Sequence, residues 1–228
     1  MESSESYHHG DLRRALLEAA GAILQESGAP ALSLRGIARR AGVSHMAPYH
    51  HFAGRGELVA ALAADGFERL ATAMRDAMES ATGADPVERL RACGVAYVVF
   101  AVRNPEMFQL MFGRELADSS AHPELRQAAR AAYGTFAAAL PAPPGAAPGQ
   151  TEDAAEPGAG ESSEGESSEG ESIPLPPIAL AAWSLVHGLA MLVADGQVGS
   201  GAADAEEAER LTREAMGALR QFGPAREA

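Results

Sequence analysis

The chain has 228 residues, a formal net charge of −13, one cysteine, and arginine at all 18 of its Lys/Arg positions. That length supports a sizeable core in one large or two small domains. The acidic balance excludes a general nucleic-acid coat protein, whose footprint is basic, and the lone Cys93 excludes a disulfide framework and points to a reducing cytoplasm. The first ten residues, MESSESYHHG, lack a basic n-region and an apolar h-region, so they do not read as a signal peptide.

Residues 1–10 are expected to form a flexible arm, with Asp11 capping the first helix. Leu12, Ala15, Leu16, Ala19, Ala20, Ile23 and Leu24 share one helical face, and Gly28 and Pro30 stop it. Next comes SLRGIARRAGVSHMAPYHHF, from Ser33 to Phe52. Leu34, Ile37 and Ala38 give an apolar face, Ser33 is placed as N-cap, and Gly42 stands where a C-terminal glycine is wanted. Ser44 then caps a predicted second helix, Ser44 to His51. Two short helices joined by a glycine-containing turn form a helix-turn-helix. Between Ser33 and Gly56 the chain has Arg35, Arg39, Arg40 and Arg55 and no acid, which suits a phosphate backbone. Ser44, His45, Met46, Tyr49 and His50 line the second helix. Pro48 lies in its first turn, where a missing donor costs least, so the helix is expected with a tightened start.

Ser33, Ile37, Ala38, Ala41-Gly42-Val43-Ser44, Tyr49-x-His51-Phe52, Arg55 and Leu58 together resemble the DNA-binding domain of the tetracycline-repressor (TetR) family of transcription regulators. The resemblance implies that Tyr49 touches a phosphate and that Arg55, where the family more often has lysine, supports a second such contact. The expected DNA-binding residues are Ser33, Arg35, Ser44, His45, Met46, Tyr49, His50 and Arg55. They lie in a DNA-binding domain over 11–56, followed by a ligand-binding and dimerisation domain over 57–228.

The next helix starts near Gly54 or Arg55, buries Leu58, Leu62, Leu70, Met74 and Met78, and ends at Gly83 to Pro86. The resemblance implies that this helix joins the two functions. A ligand that tilts it changes the spacing of two recognition helices, which must dock about 34 to 36 Å apart. Pro86 opens a helix whose segment Ala92 to Val102 is apolar all round and therefore central. Asn104-Pro105 breaks it. Met107, Phe108, Leu110, Met111 and Phe112 form a short apolar segment, and Pro123 to Leu140 a further amphipathic helix with Leu125, Ala129, Tyr133 and Phe136 inward.

Residues 141–176 hold eight acids and no base, including two tandem Glu-Ser-Ser-Glu-Gly pentads. With little apolar surface to offset ordering entropy, they read as a disordered acidic insertion. It is either a passive linker or a brake that competes with DNA for the arginines. Ile178 to Ala194 is apolar but contains Ser184, His187 and Gly188, and reads as a buried core helix rather than a membrane span. Trp183 and His187 share a helix face. Trp-x-x-x-His-Gly resembles a C-terminal domain type (WHG) found in part of the same family. His187 is either a core histidine or a polar group in a pocket. Gly188 and Ala190 leave room for close helix approach. Glu206 to Phe222 is the last amphipathic helix, and the resemblance implies that the last two helices pair with their twins in a homodimer.

The chain has no nucleophile elbow, phosphate loop, dinucleotide fingerprint or metal-ligand spacing. No enzyme activity, cofactor or metal is expected, and Cys93 in its apolar run reads as inert. The fold class is all-α, with a three-helix helix-turn-helix domain, a helical C-terminal domain and about nine helices in all. The expected function is a cytoplasmic, ligand-responsive repressor. It binds double-stranded operator DNA as a homodimer and is released by a largely apolar small-molecule effector. The candidate pocket wall is Tyr97, Phe100, Phe108, Met111, Phe112, Tyr133, Trp183 and His187. The competing reading is a helical small-molecule-binding protein or enzyme with no transcriptional role.

Overall fold

The computed structural model describes residues 6–81, 83, 85–113, 116, 121–140, 176–199 and 204–218, with side chains from residue 12 onward. The acidic insertion expected over 141–176 falls outside the described residues except for Pro176.

Among the described residues there are eight α-helices: α1 (Ser6–Ser27), α2 (Leu34–Ala41), α3 (Arg55–Ser80), α4 (Pro86–Arg103), α5 (Pro105–Phe112), α6 (Pro123–Ala137), α7 (Pro177–Ala194) and α8 (Ala205–Ala218). Two short 3₁₀ turns, Ala29–Ala31 and Ala47–His50, complete the chain path. Helix α1 starts ahead of Asp11, the cap expected from sequence. The predicted helix Ser44–His51 is a turn followed by the second 3₁₀ segment. Pro48 explains the difference. It has no N–H to donate, and the chain replaces helical bonds with tighter ones: Ala47 N–H to Ser44 O, Tyr49 N–H to Met46 O and His51 N–H to Pro48 O, at 3.0, 3.1 and 3.0 Å.

The first bundle is α1, α2 and the start of α3. Leu16, Ala20, Leu24, Leu32, Ile37, Phe52, Leu58 and Leu62 fill its interior, each nearly inaccessible. Ser33 caps α2 by accepting from the Gly36 N–H at 3.1 Å. Gly42 ends it at φ 69°, a left-handed conformation that costs a Cβ-bearing residue. Arg40 pairs with Glu26 through both nitrogens at 2.6 Å and so clamps α2 to α1.

The second bundle is organised on α4. Its neighbours are α3, α5, α7 and α8, which accounts for the apolar surround of Ala92 to Val102. Asp85 caps it by accepting from the Val87 and Glu88 N–H groups, and Pro86 occupies the first turn. Helix α6 lies along α3 and buries Leu125, Ala128, Ala132 and Phe136. Helix α3 belongs to both bundles. At its middle, Gly66 lets α5 approach closely: a Cβ there would stand 2.7 Å from the Met111 sulfur and 2.9 Å from that of Met107.

Helix α7 has a mean hydropathy of 1.8 and is long and apolar enough to cross a membrane, yet only 22% of it is buried. The expectation of a buried core helix is corrected accordingly. Ala179, Val186, Ala190 and Val193 form the inward stripe, and Ile178 and Leu192 lie on another side, 68% and 41% exposed. Ala190 therefore packs within its own chain rather than on an outer face.

Candidate functional site

Two groups of residues stand out, one at the start of α3 and one against its middle, where Phe67 meets Phe112 with ring centroids 5.3 Å apart. The first is the turn from Ser44 to His50. Ser44, His45, Met46, Tyr49 and His50 are all exposed, and Pro48 and Phe52 are buried beneath them. The buried pair pins the segment to the bundle while the other side chains face outward. Arg35 and Arg39 on α2 are also exposed and flank this face. The surface is polar and basic, apart from Met46 and the ring of Tyr49.

Ser33 and Arg55, both expected there, and the neighbouring Arg40 also make contacts within the protein. Ser33 spends its hydroxyl on the α2 cap. Arg40 is engaged with Glu26, and that hydrogen bond, helped by charge attraction, holds the Glu26 carboxyl below its usual value. Arg55, expected to support a phosphate contact, donates through Nε to Leu32 O at 3.3 Å and through Nη2 to Ala29 O at 2.9 Å. It ties the start of α3 to the α1–α2 connection. Nothing local in the sequence signals this, because the acceptors lie more than twenty residues upstream.

The second group is an aromatic core between α4, α5, α6 and α7. His187 stacks on Trp183 with ring centroids 5.0 Å apart and meets Phe112 at 4.6 Å and Phe108 at 5.5 Å. Tyr133 meets Trp183 at 4.9 Å and Tyr97 meets Phe108 at 5.7 Å, both edge to face. Six of the eight residues expected at a pocket wall are thus brought together. The other two stand apart: Phe100 lies beneath the Arg69 guanidinium at 6.0 Å, and Met111 packs over Gly66.

The polar atoms in this core are ordered. Tyr97 Oη is 2.9 Å from His187 Nδ1. Burial pushes the Tyr97 phenol well above its ordinary value, with the Trp183 indole N–H partly offsetting it. The hydroxyl and the imidazole share this one hydrogen bond, and its direction follows the tautomer of His187. His187 Nε2 is left as a further polar atom beside four aromatic rings. Burial also lowers the His187 pKa below its ordinary value of 6.5. Between the lowered folded value and 6.5 the unfolded chain binds more protons, so stability falls as pH drops below about 6.5. We expect the melting temperature to fall on acidification through that window, and to fall less in His187→Gln, measured by differential scanning calorimetry. Cys93, buried in α4, has its thiol pushed up to about 12 by burial, which suits inert packing.

The two bundles meet at few points. A cleft of about 950 Å³ opens between α1, α3 and α5, with Arg14, Asp65 and Met107 on its wall. Across the seam, Arg13 of α1 donates to Glu124 of α6 at 2.7 Å, and its guanidinium lies 5.8 Å from the Phe52 ring centroid. Among the described residues no group of His, Cys, Asp or Glu is arranged to hold a metal ion.

A basic, outward-facing turn on a helix-turn-helix, carried by a helix that runs into a separate helical core, defines a one-chain DNA-binding regulator. Residues 16–62 match the family model for bacterial regulatory proteins of the tetR family. Residues 90–216 match that for the tetracyclin repressor-like C-terminal domain. The chain belongs to the TetR family of DNA-binding transcriptional regulators and is not an enzyme. A protein of unknown function from Rhodococcus sp. RHA1 is 32% identical with a TM-score of 0.64, the match covering 94% of this chain and 98% of that one. The regulatory protein SCO4313 is 25% identical, with a TM-score of 0.64 over 95% and 98% of the two chains. PfmR, a TetR-family regulator from Thermus thermophilus, shares the fold at 20% identity, with a TM-score of 0.55 over 92% and 99%. A comparison with curated proteins finds no match.

Proposed function

We propose that the protein is a homodimeric repressor that binds a two-fold operator and leaves it when a small, largely apolar molecule enters the aromatic core. Trp183, His187 and Gly188 also fit the WHG type of C-terminal domain. The single observation that carries the reading is the placement of α6. Tyr133, in its last turns, lies against Trp183, and Glu124, in its first turn, holds Arg13 above Phe52. One rigid helix therefore touches both the aromatic core and the base of the DNA-facing turn. A molecule that displaces Tyr133 shifts Glu124, and with it the angle of α1 and the turn. The cleft between α1, α3 and α5 gives the first bundle room to move.

The effector should be flat or flexible, mostly hydrocarbon, and should present a hydrogen-bonding group to His187 Nε2. Trp183 is the only tryptophan in the chain, so its fluorescence reports on this core alone. Titration with apolar compounds bearing a carbonyl or phenolic oxygen should quench or shift Trp183 emission over the same concentration range that releases DNA in a gel-shift. Glu124→Gln should keep the quenching but weaken the release. The Arg13–Glu124 pair is solvent-exposed, so the loss should be about fivefold at most. Quenching with no change in DNA binding at any concentration would sink the proposed coupling.

A further inference from the structure

Met46 is one of the most exposed large apolar residues among those described. Its side chain is 52% exposed, while its backbone is held in the turn at φ −87° and ψ −21°, with its carbonyl accepting from the Tyr49 N–H at 3.1 Å. Pro48, buried two residues on, fixes that turn against the bundle. Before residue 81, the exposed large apolar side chains among the described residues are Met46 and Tyr49, both on this one segment. Tyr49 carries a hydroxyl that suits a phosphate. Met46 carries no donor and only a weak sulfur acceptor, so it cannot read a base edge by hydrogen bonding. An unbranched thioether on a basic face has one apolar feature to meet in the major groove of B-DNA, the methyl group on C5 of a pyrimidine. The side chain is also flexible enough to follow that methyl without moving the pinned backbone.

We infer that Met46 selects a C5-methylated pyrimidine, thymine in unmodified DNA, at one position of each operator half-site. The inference rests on the DNA-facing assignment of the Ser44–His50 turn. It predicts that the preference is for the methyl itself. Cytosine at the same position, paired with guanine, binds more tightly once it carries a C5 methyl.

The test starts with duplexes selected from a random library by the full-length protein. Each thymine of a selected half-site is then replaced in turn by deoxyuridine, which removes only the methyl. At one position per half-site the affinity should drop about fourfold, and 5-methylcytosine there should bind more tightly than cytosine. Met46→Leu should keep this discrimination. Met46→Ser should erase it while still retarding the selected duplex. Equal binding of thymine and deoxyuridine at every position, or discrimination that survives in Met46→Ser, would overturn the role of Met46. Failure to retard any duplex at low salt would overturn the DNA-facing assignment itself, and this inference with it.

Discussion

Replacing Ile178 and Leu192 together by arginine should leave the protein monomeric and reduce its affinity for a two-half-site operator by roughly 10²- to 10⁴-fold, the range lost when two linked binding events become one. The expectation follows from the geometry of α7. Ile178, Leu185 and Leu192 recur every seven residues, so they form one nearly straight stripe on the helix. The two end members are 68% and 41% exposed. Large apolar side chains in such a row mark a contact surface rather than a solvated one. The inward stripe, Ala179, Val186, Ala190 and Val193, lies roughly 100° around the helix axis and is already committed to the core, so charging the outer stripe leaves the chain's own packing intact. Leu180 is the control. It is 48% exposed on the same helix but roughly 200° around the axis from Ile178, and Leu180→Arg should leave assembly and DNA affinity unchanged. Sedimentation velocity with a parallel gel-shift decides it. A double variant that remains dimeric and binds as before would remove α7 from the interface.

The parts of this fold that sequence exposed are those settled within one turn of helix. The Ser33 cap, the left-handed Gly42 and the start of α4 at Pro86 each involve neighbours at most four residues away, so side-chain chemistry alone predicts them; the Asp85 cap is equally local. The apolar surround of Ala92 to Val102 likewise leaves α4 no place but the middle. Where the reading failed, the deciding partner was remote or two local rules competed. Pro48 removes a donor within a segment that Ser44 is placed to cap, so two local rules oppose each other there. The chain resolves the conflict by tightening the hydrogen bonding instead. The bonds from Arg55 to the Ala29 and Leu32 carbonyls span more than twenty residues and leave no local trace in the sequence. Helix α7 reads as uniformly buried because its hydropathy is high on every side, and hydropathy does not say which stripe the chain itself covers. The aromatic core was legible in composition, and six of its members meet. Phe100 and Met111 are equally apolar, and only the crossing of α3 by α5 and the α4–α5 corner sends them elsewhere.

Phe108→Ala should have the largest effect of any single core substitution in the effector domain, a loss of about 3–5 kcal/mol. Phe108 is 1% exposed and stands between Tyr97, Phe112 and His187, with ring centroids at 5.7, 4.8 and 5.5 Å. Truncation removes its apolar burial and leaves a hole whose walls are rings, which relax poorly because their own positions are set by one another. Against a typical stability of about 5–15 kcal/mol, the variant should still fold at low temperature and melt far earlier than the parent. The hole should be dry and shaped for a benzene ring. Saturating benzene should therefore raise the melting temperature of Phe108→Ala, and not that of the parent, by mass action on the folded state. The same experiment probes the regulatory wiring. If occupancy of this core controls the DNA-facing turn, the empty variant and the benzene-filled variant should differ in affinity for the selected duplex. If benzene restores stability and leaves DNA binding unchanged, the rings are packing alone and the effector enters elsewhere.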